Sequence, residues 1–149
     1  MRLENEQGWI EIEFDHYAEE GCYMRDGLFD VHNSVELGFN FSIEGIGWGS
    51  VGDEYVQTTD IAKLAEGAAS VLNSKADSFY HSVLFPYECI GESEFCRFDF
   101  SRNESGIAVH LHIWDGLCEY IELTQILTET DFSEIVDELR NAANRFPVR

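Results

Sequence analysis

Residues 107–113, IAVHLHI, put Ile107, Val109, Leu111 and Ile113 on one parity and His110 and His112 on the other. A period of two belongs to a strand with one dry and one wet face, and a helix cannot satisfy it. The same alternation recurs along the chain. Ile10, Ile12 and Phe14 alternate with Glu11 and Glu13. Phe29, Val31, Val35, Leu37, Phe39, Phe41 and Ile43 share a parity over a run longer than the usual strand of about 5–6 residues. That run is expected to bend or break near Asn33. Cys96, Phe98 and Phe100 mark a further strand, and Cys118 to Leu127 another. The polar stretch RNESG and the pair Asp115-Gly116 supply hairpin turns between the last three strands.

Two segments change to helical spacing. Ile61, Leu64, Ala65, Ala68, Val71 and Leu72 predict a helix over 59–73, with Thr58, Thr59 or Asp60 as candidate caps and Gly67 as a weak point. Phe132, Ile135, Val136, Leu139, Ala143 and Phe146 predict a second over about 131–146. There Asp131 and Glu134 resemble a capping box and Pro147 stops the helix. Residues 74–92 show no clear pattern beyond a turn near Pro86. The expected fold is α+β: an antiparallel β-sheet with two α-helices packed on it, in the order β-β-α-β-β-β-α, as one domain over 1–149.

Charge bounds the partners. Nine Lys and Arg stand against 29 Asp and Glu, a net −20. Such a surface repels nucleic acid and anionic membranes and attracts cationic proteins. The excess is greatest in residues 1–60, with 14 acids against 2 bases, so this segment is where a basic partner is expected to dock. No apolar run approaches the roughly 20 residues that span a bilayer. The opening MRLENEQGWIEIEF lacks the pattern of a secretion signal, and the expected location is cytoplasmic. Cys22, Cys89, Cys96 and Cys118 form no CxxC pair and are expected as buried reduced thiols.

Two strings suggest a cofactor or a metal. GWGSVG, residues 47–52, matches a dinucleotide-binding pattern. Such a site needs a buried strand before it and a helix opening directly on the glycines. Here the strand before it is half polar, and Asp53 and Glu54 would repel a phosphate; the stretch is expected to be a flexible turn carrying Trp48. His110 and His112 share a strand face at a spacing that suits metal ligation. A cupin-like site would want an acid four or five residues later, but Leu117 stands in its place and Glu119 lies on the opposite parity, so no metal is expected. No GxSxG, HExxH or P-loop is present. No catalytic residue and no cofactor are expected, and the protein is expected not to be an enzyme.

Three segments carry a resemblance: VELGFNFSIEG leading to the TTDIAKLAEGAASVL helix, the FCRFDFSRNESGIAVHLHIW hairpin, and CEYIELTQIL running into TDFSEIVDELRNAANRF. Their arrangement over roughly residues 29–146 resembles the WapI-type immunity proteins of bacterial polymorphic-toxin and contact-dependent growth inhibition systems. The resemblance implies a cytosolic immunity protein that binds and neutralises one cognate toxin C-terminal domain, basic and of nuclease type, with no nucleic-acid or membrane partner. It carries over no individual residue. The acidic rim and aromatic anchor that would serve such a partner are Glu11, Glu13, Trp48, Asp53 and Glu54. Two other readings stand beside it: a metal-dependent enzyme using His110 and His112, and a general acidic adaptor or DNA mimic for basic proteins.

Overall fold

The structure, a computed structural model, describes residues 1–18, 31–84, 94–114 and 120–148. The described residues form four strands and a helix, then four strands and a helix again. The first set is β1 (Arg2–Asn5), β2 (Gly8–Tyr17), β3 (Ser34–Ile43), β4 (Gly47–Gln57) and α1 (Thr58–Leu72). The second is β5 (Ser78–Leu84), β6 (Glu94–Asn103), β7 (Gly106–Trp114), β8 (Tyr120–Leu127) and α2 (Glu129–Arg145). Each set of strands is an antiparallel meander, in the order β1-β2-β3-β4 and β5-β6-β7-β8. The α+β class holds, with two antiparallel sheets and two helices.

The expected element order lacked β1, β4 and β5. β1 is only four residues long, and Arg2 and Glu4 leave it a single apolar anchor, the fully buried Leu3. β4 contains the expected turn GWGSVG, which is instead paired residue for residue with β3 from Ile43↔Gly47 to Phe39↔Val51. The turn lies just before it, where Gly45 and Gly47 take positive φ. Glycine is depleted in strands, so the composition pointed the wrong way. Val31–Asn33 forms a short 3-10 turn before β3, which is the expected break near Asn33. The Asp115-Gly116 turn and Cys22, Cys89 and Cys118 fall outside the described residues.

One apolar core joins both sheets and both helices. Its inward rows are the ones the alternation named: Ile10 and Ile12, Val35, Leu37 and Phe39, Cys96, Phe98 and Phe100, and Ile107, Val109, Leu111 and Ile113 are buried, while Phe14 and Phe41 are half-buried. Phe39 meets Phe95 edge to face across the sheets, with ring centroids 5.6 Å apart. The sheets also touch along β1 and β8, where the Glu4 amide donates to Gln125 Oε1 at 2.9 Å and Asn5 Nδ2 donates to Thr124 O at 2.8 Å. No helix among the described residues is long and apolar enough to cross a membrane.

Both helices begin slightly earlier than expected. α1 has Gln57 as its N-cap with no side-chain cap bond, so none of Thr58, Thr59 or Asp60 caps it. α2 is capped by Thr128, whose Oγ1 accepts from the Asp131 amide at 3.2 Å and donates to Asp131 Oδ2 at 2.8 Å. Asp131 is thus the N3 partner of the cap rather than the cap itself. Arg102 joins the helix ends: its Nη2 donates to Val71 O and Leu72 O at 3.0 and 2.9 Å, and its Nη1 pairs with Glu129. A guanidinium there adds a donor at the carbonyl end of α1, where Val71 O already accepts from the Ser74 amide at 3.1 Å.

Candidate functional site

Each sheet buries one face and turns the other outward, so side chains available to a partner stand in cross-strand rows. On the first sheet one row reads Glu4–Trp9–Ser42–Trp48 and the next Arg2–Glu11–Asn40–Ser50. Trp48 is 87% exposed. The Arg2 guanidinium lies 4.4 Å from the Trp9 ring centre and also pairs with Glu4. Glu13 and Glu36 continue the face, with His16 Nε2 3.3 Å from Glu36.

The structure therefore brings Glu11, Glu13 and Trp48 onto one surface, as expected, but by register rather than by a turn. Asp53 and Glu54 lie within β4, and their side chains are outside the described set. The expectation of a Trp48-bearing turn edged by those two acids is corrected. Trp48 projects from a paired strand, and its partner across the ladder is Ser42.

The outer face of the second sheet has a different chemistry. One row reads Ser82–Arg97–His112–Glu122 and its neighbour Tyr80–Asp99–His110–Thr124. Tyr80 is 65% exposed, and the Arg97 guanidinium stands 4.8 Å from its ring centre. Arg97 forks onto Asp99, with Nε 2.9 Å from Oδ2 and Nη2 3.0 Å from Oδ1. The hydrogen bond that Arg97 donates to Asp99, then the charge of Asp99, raise the Arg97 pKa above the ordinary guanidinium value, so Arg97 is a permanent cation. Beside it His112 Nδ1 is 3.1 Å from Glu122 Oε1, and His110 Nδ1 is 2.6 Å from Thr124 Oγ1.

Sequence reasoning placed His110 and His112 on this face and missed its other members. It sought a third metal ligand along the chain, whereas register puts Glu122 directly opposite His112. One donor atom from each of His110, His112 and Glu122 lies within 4.8 Å of the others. Tyr80 was missed because residues 74–92 gave no pattern to place it. Its neighbours Phe79 and His81 point inward, where His81 Nε2 meets Asp60 Oδ1 at 3.0 Å and ties β5 to α1.

No protein-family model matches the chain, and no curated protein matches it. Solved structures do. The plant transcriptional regulator PBF-2 aligns with a TM-score of 0.52 at 13% identity, covering 98% of this chain and 80% of that one. WHY3 from Arabidopsis thaliana aligns with a TM-score of 0.50 at 14% identity, covering 98% and 86%. WHY1 from the same plant gives 0.50 and 14%, covering 98% and 88%. At this identity the likeness is one of fold.

The likeness nevertheless corrects the expected function. The architecture expected to carry a toxin-neutralising protein is that of a transcriptional regulator and its structural kin. The expected toxin partner, and the expected exclusion of nucleic acid, are withdrawn together. The physical reason the charge argument misled is that −20 is a property of the whole surface. It sets the long-range field and leaves open what one face binds at contact distance.

Proposed function

We propose that this is a cytoplasmic binding domain without catalytic chemistry that takes a single nucleic-acid strand on the outer face of its second sheet. The observation that carries the reading is Tyr80, 65% exposed on that face with the Arg97 guanidinium stacked at 4.8 Å. An exposed ring backed by a cation is a platform on which a base can stack, and strand-binding proteins use such platforms at about 1–3 kcal/mol per base. The fold shared with a transcriptional regulator supports the same class of partner.

Charge selects between the two faces. Among the described residues, Glu4, Glu11, Glu13 and Glu36 line the first sheet's face with Arg2 and His16 beside them. On the second, Arg97 pairs with Asp99 and also feels Glu94, which Ser82 contacts, and Glu122 stands beside two imidazoles that can donate hydrogen bonds, so that face carries fewer acids. Phosphates are repelled by the molecule as a whole, so affinity must come from bases rather than backbone. Fluorescence anisotropy with a labelled single-stranded oligonucleotide tests this directly. Wild type is expected to bind and Tyr80→Ala to bind more weakly. Absence of binding at about 100 µM protein, the weak end of ordinary non-specific affinity, would refute the reading.

A further inference from the structure

We propose that His110, His112 and Glu122 form a binding site for a divalent transition metal of the zinc class. Strand alternation sets the two imidazoles side by side on β7, and the β7–β8 register brings the carboxylate opposite the second of them. Two histidines and a glutamate are a donor set that such ions take up readily, with imidazole the preferred ligand. The three donor atoms lie within 4.8 Å of one another. Around a tetrahedral ion with bonds near 2.0–2.1 Å they would stand about 3.4 Å apart. Side-chain rotation covers that difference, and two adjacent strands of one ladder keep the backbone in place.

The surroundings supply what a bound ion needs beyond its ligands. Thr124 Oγ1 stands 2.6 Å from His110 Nδ1, so a proton on Nδ1 can be given to the hydroxyl while Nε2 is left to ligate. Partners of this kind orient ligating histidines in metal sites. His110 and Glu122 open on a polar pocket of about 370 Å³ whose other walls include Gln7 and Glu44 from the first sheet's turns. Glu44 is an exposed part of the pocket wall outside the three-donor group, and the pocket leaves room for water as a fourth ligand. Arg97 is opposite His112 in the ladder but is forked onto Asp99 and carries its own counter-charge. The competing possibility is a cross-strand His112–Glu122 ion pair at 3.1 Å, with a proton in the place of the metal.

The two alternatives separate in a titration of the full chain with the metal alone, so the outcome is independent of any nucleic-acid binding. Untagged protein is stripped with a chelator and titrated with cobalt(II), followed by visible absorption, then with zinc(II) in competition. The expected result is saturation at one ion per chain. His110→Gln and Glu122→Gln are each expected to weaken binding by at least about 100-fold, and Thr124→Val, which removes no ligand, by about 10- to 100-fold. His16→Gln, on the other sheet, is expected to leave the titration unchanged. Thr124→Val keeps the test decisive if a ligand variant folds poorly, as circular dichroism would report. The proposal is overturned if wild type fails to saturate, or if His110→Gln and Glu122→Gln bind as wild type does.

Discussion

Gly67 is the position where an alanine should do harm, although it lies inside a helix. A methyl group built there would stand 2.3–2.4 Å from three carbons of the Phe79 ring. Ordinary carbon contacts are about 3.5–4.0 Å, so the ring must retreat by more than 1 Å. It has little room, since Phe79 stacks on the fully buried Phe100 at 6.2 Å, which in turn meets Phe132 at 5.4 Å. Overpacking of this kind costs about 1–3 kcal/mol, against a gain of about 1 kcal/mol from replacing glycine in a helix. Gly67→Ala is therefore expected to destabilise by up to about 2 kcal/mol in urea melts, or to come out even. In a Phe79→Ala background the ring is gone, and the same change should stabilise by about 1 kcal/mol. That reversal is the double-mutant signature of a direct contact. Gly67→Ala stabilising by the same amount in both backgrounds would refute the packing argument.

Two further expectations follow from particular contacts. Thr128→Ala should lower stability by about 0.5–2 kcal/mol, read in thermal or urea melts, while Thr128→Ser keeps the cap and should stay near wild type. Trp48→Ala should leave oligonucleotide affinity unchanged in anisotropy titrations, because Trp48 stands on the first sheet, across the ladder from Ser42, and not on the proposed binding face. A loss there equal to that of Tyr80→Ala would move the binding face to the first sheet.

How much of this was legible in the sequence varied with the kind of signal. Strict alternation in β2, β6 and β7 named the buried rows, because a half-buried strand has to repeat every two residues. The helical stripes did the same for α1 and α2, down to Phe132, Ile135, Val136 and Leu139. What failed was whatever depends on neighbours distant in sequence. β4 looks like a turn until β3 is laid beside it, and β1 is a strand only because β2 pairs with it. The same limit governed the site. His110 and His112 were visible as a pair, while Glu122 joins them only through the β7–β8 register. Tyr80 and Arg97 meet only once β5 is paired with β6. Net charge describes the far field of the whole molecule, and it was too coarse to choose a partner for one face.

In the proposed function, bases rather than phosphates hold a nucleic-acid strand on the second sheet. The most direct measurement is the affinity of wild type and Tyr80→Ala for a single-stranded oligonucleotide across a salt series. A protein held by 6–10 phosphate contacts loses about 10³–10⁵ in affinity between roughly 50 and 200 mM salt. A chain of net charge −20 that binds by stacking should instead hold its affinity or tighten as salt screens the repulsion. Tyr80→Ala should be weaker by about 1–3 kcal/mol at every point. A steep loss with salt, or a Tyr80→Ala curve lying on the wild-type curve, would contradict the claim.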